Sequence, residues 1–145
     1  MEKTFVGYRC SLCGKEYGPE DVQYTCPTDG GNLDVILDYE GIRKKYQVED
    51  ITTRTDASLW RYLPLLPVTD PGGEGTPLRA AGWTPLYQPP ALAKTLGMRQ
   101  LWVKDEGRNP TASFKDRASS VVVARARQSR AGVGVTASTG NAGAA

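Results

Sequence analysis

The stretch LWVKDEGRNPTASFKDRASSVVVARARQSRAGVGVTASTGNAGAA, Leu101 to Ala145, decides the fold class. Leu101-Trp102-Val103-Lys104 is an apolar run of strand length, and Asp105 to Thr111 is polar and irregular. Ser113 can cap a helix starting at Phe114, with Asp116 three residues on completing an aspartate version of the capping box. Ala118, Val121, Val122 and Ala126 are expected to face the core. Three successive valines, Val121 to Val123, lower helix propensity, but the cap, the length and Gly132 beyond the last basic residues favour helix over strand. Val133 to Ala137 reads as a second buried strand. It runs into Ser138-Thr139-Gly140-Asn141-Ala142-Gly143, a Gly-bearing turn that opens another helix. Strand, helix, strand and helix start spell the beginning of a parallel α/β sheet. Two parallel strands with one crossover cannot cover both faces of a sheet, so the fold is expected to be truncated here, the N-terminal portion of something longer.

Working outward, residues 89–145 form the start of this α/β domain, and Ala91 to Leu96 is a short helix ended by Gly97. Residues 38–88 are a connecting segment. Two short helices are expected in it, Gly41 to Tyr46 and Ala57 to Tyr62, the second capped by Asp56 and stopped by Pro64. Pro64 to Pro90 holds most of the chain's ten prolines and the run Gly72-Gly73-Glu74-Gly75, which excludes a long helix or central strand. Residues 1–37 read as a small β module with strands Phe5 to Arg9, Val22 to Thr25 and Leu33 to Leu37. Trp60, Trp83 and Trp102 lie in apolar runs and are expected to be buried without chemistry.

The chain of 145 residues has no histidine, which excludes Ser-His-Asp and Cys-His catalysis and any imidazole-ligated metal. Its chemistry falls to Lys, Asp, Glu, Cys, hydroxyls or a cofactor. The net charge of +2 hides an asymmetry: residues 1–88 sum to −4 and residues 89–145 to +6. Arg125, Arg127 and Arg130 read as the solvated face of a helix. No run of about 18 apolar residues occurs, and no secretory signal opens the chain, so a soluble, cytoplasmic protein without membrane contact is expected.

Lys115 sits one residue into a helix capped by Ser113, where the positive end of the helix dipole disfavours an ammonium and nearby N–H groups can receive an anion. A lysine nucleophile beside an anion site suits pyridoxal phosphate. By itself the same pattern also describes an exposed charged turn. Ser138-Thr139-Gly140-Asn141 gathers backbone N–H groups and two hydroxyls about a carboxylate-sized site, or is an ordinary N-cap.

Cys10-Ser11-Leu12-Cys13 and Cys26-Pro27-Thr28-Asp29 are separated by twelve residues, the layout of two zinc-ribbon knuckles. The fourth position is Asp29, and structural zinc prefers thiolate and imidazole. Metal held by Cys10, Cys13, Cys26 and Asp29, a metal-free knuckle, and a disulfide all stay open, the last disfavoured in a reducing compartment.

Lys104-Asp105-Glu106-Gly107-Arg108-Asn109-Pro110-Thr111-Ala112-Ser113-Phe114-Lys115-Asp116-Arg117 resembles the cofactor-lysine segment of threonine synthases. Ser138 to Ala145 resembles that family's next signature, and Gly73 to Leu78, Gly82 to Leu86 and Leu92 to Gly97 resemble the entry to its catalytic fold. The resemblance implies a zinc-ribbon-like β module followed by the first part of a fold-type II pyridoxal phosphate enzyme, which converts O-phospho-L-homoserine and water into L-threonine and phosphate. By the same carry-over, Lys115 bears the cofactor and moves protons, and Asn141 bonds the cofactor's phenolic oxygen. Ser138, Thr139 and the Asn141–Ala142 backbone hold the substrate carboxylate, with Ala142 standing where many relatives have Thr. The family's glycine-rich phosphate loop and pyridine-nitrogen partner come later in sequence, so this chain alone is expected to be inactive. A serine or threonine dehydratase or a cysteate synthase would use Lys115 identically. A ribbon-type binding module is the alternative of another class, but the acidic first part speaks against nucleic acid.

Overall fold

The computed structural model describes residues 4–22 and 24–145, and the chain divides into two compact units. The first joins residues up to Asp56 with Trp60–Pro71 and Val121–Val133. Its sheet is antiparallel, ordered β2-β1-β3, from β1 (Phe5–Cys10), β2 (Glu16–Tyr17) and β3 (Leu33–Leu37). Tyr8 stands opposite Tyr17 on one side and Val35 on the other. The β1–β3 register slips between Phe5 and Gly7, and a Cβ on Gly7 would overlap the Tyr17 carbonyl, so only glycine lets β2 close on this bulge. The expected strand at Val22 to Thr25 falls partly on residue 23, outside the described residues, and Tyr24–Thr25 bend instead. Glu16–Tyr17 takes the edge, where Arg9 bridges to Glu16 at 2.6 Å.

Helix α1 (Tyr39–Lys45) is capped by Asp38, whose carboxylate accepts from Gly41 N at 2.8 Å, and buries Ile42. Helix α2 (Val48–Thr52) was not expected from the sequence. Its first turn is closed by Gln47 N donating to Asp50 Oδ2 at 2.7 Å. Its last carbonyls are met by buried Arg61, which donates to Ile51 O at 2.9 Å and Thr52 O at 2.8 Å. A cation on the negative end of a helix satisfies acceptors that have no intrahelical donor. The helix expected at Ala57 to Tyr62 is a 3-10 helix over Leu59–Leu65, kinked at Tyr62, because Pro64 has no N–H to continue an α ladder. Trp60 is 1% exposed and anchors this core with Phe5, Ile42 and Val68.

The second unit comprises Ala57–Leu59, Gly72–Ser120 and Gly134–Ala145. It contains α3 (Pro77–Ala80), β4 (Leu86–Tyr87), α4 (Pro90–Thr95) and β5 (Val103–Lys104). Gly97, at φ 65°, ends α4, with Met98 N returning to Ala93 O at 2.9 Å. The two strands pair antiparallel, Leu86 with Lys104 and Tyr87 with Val103.

Among the described residues there is no parallel pairing, which corrects the expected parallel sheet. Val133 to Ala137 forms no strand, with Val133 and Val135 exposed, because a strand exists only where a neighbour takes up its N–H and C=O groups. Trp83 and Trp102 are also exposed, contrary to expectation.

Helix α5 (Asp116–Gln128) starts two residues later than expected, and its buried positions are Asp116, Ser120 and Ala124. Ala118 and Val122 are exposed, and Val121 and Ala126 only half-buried, so the expected core face is rotated. The cause is local. Asp116 turns inward to accept from Thr111 N at 2.8 Å and Thr111 Oγ1 at 2.5 Å, which sets the phase of every later residue. Helix α6 (Asn141–Ala144) is a single turn. Among the described residues no helix is long and apolar enough to cross a membrane.

Candidate functional site

Lys115 lies in the turn immediately before α5, with its side chain exposed. Its amide donates to Ser113 Oγ at 3.0 Å, and its carbonyl accepts from Ser119 N at 3.0 Å. Its Nζ stands 5.8 Å from the centre of the Phe114 ring. The loop that carries it is braced at both ends. Before it, the buried Asn109 accepts from Gly82 N at 2.9 Å and donates to Glu106 Oε2 at 2.8 Å. After it, Arg117 grips both oxygens of Glu106, and Thr84 Oγ1 donates to the same carboxylate at 2.9 Å. Lys104 Nζ adds a bond to Thr84 O at 2.8 Å.

These donors, the Arg117 guanidinium above all, outweigh burial and hold the Glu106 carboxyl down to about 2. Ala112 takes a left-handed φ of 57°, a conformation that costs a non-glycine residue roughly 1–2 kcal/mol and survives only where neighbours over-determine it. Here Asn109 O and the Thr111–Asp116 pair do so. The sequence does not reveal that Thr84, Glu106, Asn109 and Arg117 form one cluster, because the contacts of Arg117 with Glu106 and Thr84, and of Asn109 with Gly82, span 11, 33 and 27 residues and leave no spacing signal.

Ser138, Thr139, Asn141 and Ala142 are exposed at the start of α6. Ser138 Oγ accepts from Gly140 N at 3.1 Å, a local turn. Among the described residues no hydrogen bond links this segment to the Lys115 loop.

The sequence-predicted metal residues do come together. The ligand atoms of Cys10, Cys13, Cys26 and Asp29 all lie within 4.8 Å of one another. The two knuckles are alike in backbone. Cys10 N donates to Lys15 O and Gly14 N to Cys10 O, while Cys26 N donates to Gly31 O and Gly30 N to Cys26 O. Gly14 and Gly30 share a left-handed φ, 73° and 71°. Asp29 therefore occupies in the second knuckle the place that Cys13 holds in the first.

Gly31 N, at 2.9 Å, and the Cys13 and Cys26 thiols hold the Asp29 carboxyl down to about 2. At Cys13 the Lys15 amide favours the thiolate, but the Asp29 carboxylate, burial and the two other sulfurs prevail and push the thiol up to about 12. Burial opposes ionisation of Cys26, yet the Tyr17 hydroxyl 3.0 Å away and two backbone amides lower it; Tyr17 is raised in return. Three sulfurs and a carboxylate converging to this distance, where the like charges of the ionised groups repel one another, are a donor set that suits a divalent zinc ion. The three cysteines are unbridged thiols, and Cys13 and Cys26 approach to 3.8 Å.

Comparison with known proteins gives these residues a context. The profile of the family described as pyridoxal-phosphate dependent enzyme matches residues 78–145. Threonine synthase of Methanocaldococcus jannaschii is 45% identical over 136 residues, covering 94% of this chain and 33% of the relative. Threonine synthase of Methanosarcina acetivorans is 44% identical over 138 residues, covering 94% and 32%. Cysteate synthase of Methanospirillum hungatei is 28% identical over 143 residues, covering 94% and 30%. No solved structure matches. The chain spans about a third of the length of the curated relatives it matches. With the lysine loop inside the matched segment, the chain is a threonine-synthase-like member of the pyridoxal-phosphate dependent enzyme family, homologous to the N-terminal third of threonine synthases.

Proposed function

We propose that this chain forms the N-terminal part of a threonine synthase, with Lys115 as the cofactor lysine and O-phospho-L-homoserine as substrate. The observation that carries the reading is the 45% identity to a threonine synthase across nearly the whole chain. The residues fit the cofactor. Lys115 presents its amine to solvent from a loop braced on both sides by Asn109 and Arg117, so the amine is reachable while its backbone is held. Pyridoxal phosphate supplies an electron sink for carbanion chemistry when bound.

In this reading Lys115 would hold the cofactor, and its amine would take up and return protons at the substrate's α, β and γ carbons. Asn141 would donate to the cofactor's phenolic oxygen. Ser138, Thr139 and the Asn141–Ala142 amides hold the substrate carboxylate. Activity is assigned to the longer protein of which such a segment is a third.

Cys10, Cys13, Cys26 and Asp29 would hold a structural zinc ion that ties the β1–β2 turn to the strand-free loop before β3. The matching backbone of the two knuckles supports this part.

Borohydride reduction of the full-length protein with pyridoxal phosphate, followed by peptide mapping, tests the lysine; a label on another residue refutes the assignment. Phosphate release from O-phosphohomoserine with threonine formed tests the substrate. The 28% identity to a cysteate synthase keeps a second reading, and cysteate formation without threonine would select it.

A further inference from the structure

The first unit contains a cavity of about 350 Å³ that none of the residues assigned to cofactor, substrate or metal lines. Its size is at the lower end of small-molecule sites. Phe5, Leu63, Leu66, Pro67 and Val68 give it apolar walls, and two arginines stand among them.

The arginines differ in how they are occupied. Arg125 is pinned: it donates to the Pro19 carbonyl, stacks with its guanidinium carbon 5.3 Å from the Phe5 ring centre, and approaches Glu20 at 3.5 Å. Arg54 donates through Nε to Asp50 O at 2.9 Å and lies 6.0 Å from the Tyr46 ring centre. Among the described residues no carboxylate lies within ion-pair reach of Arg54. Its terminal nitrogens are the donors that a planar oxyanion can engage in pairs. Glu20 also lines the cavity, so two cations stand against one anion and the surplus is a single positive charge. An apolar enclosure with one unbalanced guanidinium matches a monoanion with a hydrocarbon body better than a doubly charged phosphate ester.

We propose that this cavity binds a small apolar carboxylic acid, its carboxylate on Arg54 and its hydrocarbon part against Phe5, Leu66 and Val68. The site is built entirely within the first unit and does not depend on the cofactor reading.

The test is isothermal titration of the full-length protein with 3-phenylpropionate and 4-methylpentanoate, against 3-phenyl-1-propanol as a neutral counterpart. The acids are expected to bind with Kd below about 1 mM, and the alcohol at least tenfold more weakly. Arg54→Gln is expected to weaken the acids at least tenfold, and Leu66→Trp, which fills the cavity, to abolish binding of all three. Both variants are read in protein whose near-ultraviolet circular dichroism matches the parent. Equal affinity for acid and alcohol, undiminished acid binding in Arg54→Gln or Leu66→Trp, or no binding at all overturns the proposal. If Arg54→Gln does not fold, the acid and alcohol pair on the unsubstituted protein still decides charge dependence. Borohydride labelling of Lys115 is unaffected by any of these results, so the two readings fail separately.

Discussion

Arg117 meets Glu106 through two parallel hydrogen bonds, 2.8 Å from Nε to Oε2 and 2.9 Å from a terminal nitrogen to Oε1. Both side chains are about a quarter exposed or less. The pair crosses the base of the loop that carries Lys115, so its geometry bears on the position of that lysine.

The Glu106 carboxyl is held down to about 2 from 4.5, so its stabilisation is present above pH 4.5 and lost as the pH falls toward 2. The unfolded state takes up the proton first, which gives that sign. A contribution of about 2 kcal/mol is expected after allowance for partial exposure. Urea unfolding at pH 6, 4 and 3 measures it. Glu106→Gln is expected to reduce the slope in this window, with Asp29, also held down to about 2, supplying part of what remains, and an unchanged slope would refute the assignment.

Gly82 has φ 93°, and a Cβ there would lie 2.7 Å from Leu59 N and 3.0 Å from Leu59 Cβ. Backbone cannot move aside cheaply, and Gly82 N is also the donor to Asn109. Gly82→Ala is therefore expected to cost about 2–4 kcal/mol. Chemical denaturation gives the value, and a loss under about 0.5 kcal/mol would contradict the close approach.

Lys115→Ala is expected to leave the unfolding free energy within about 0.5 kcal/mol, because the side chain is exposed. In the full-length protein the same change should eliminate borohydride labelling by pyridoxal phosphate. Loss of stability in parallel with labelling would point to a structural lysine.

Metal analysis of protein prepared without chelator should find one zinc ion per chain. Asp29→Cys is expected to tighten zinc at least tenfold, since thiolate is the better structural ligand, and Cys26→Ser to release it. Chelation should lower the melting temperature by several degrees. Metal-free protein with no response to chelator would leave the knuckles as hydrogen-bonded turns.

The register of α5 gives a paired test. Ala124 is 2% exposed and Val122 65% exposed. Ala124→Leu should cost about 1–3 kcal/mol by overpacking, and Val122→Ser less than about 1 kcal/mol. The reverse order would restore the face expected from hydrophobicity alone.

Much of the local structure was legible in the sequence. The strands at Phe5 and Leu33, the helix before Gly97 and the paired Cys knuckles follow from alternation, glycine stops and donor spacing, which act over a few residues. The arrangement of the Lys115 loop was not. Ser113 does accept from the Lys115 amide at the helix entry, but Asp116 turns inward to Thr111, and α5 begins at Asp116 with a different face buried. The valine strand at 133–137 was expected from its apolar run, yet a strand depends on a partner that its own residues do not specify.

The sequence by itself determined the residue types available for chemistry: a lysine between Phe114 and Asp116, three cysteines and an aspartate at matched knuckle positions, and no imidazole. Only the tertiary structure decided that Glu106, Asn109, Arg117 and Thr84 meet around the base of the lysine loop, that Asp29 reaches the three sulfurs, and that Arg54 and Arg125 line one cavity. The reason is distance along the chain. Spacing reports neighbours within a turn or a strand, while a hydrogen bond across 11 to 33 residues exists only after the packing of other elements has brought its donor and acceptor together.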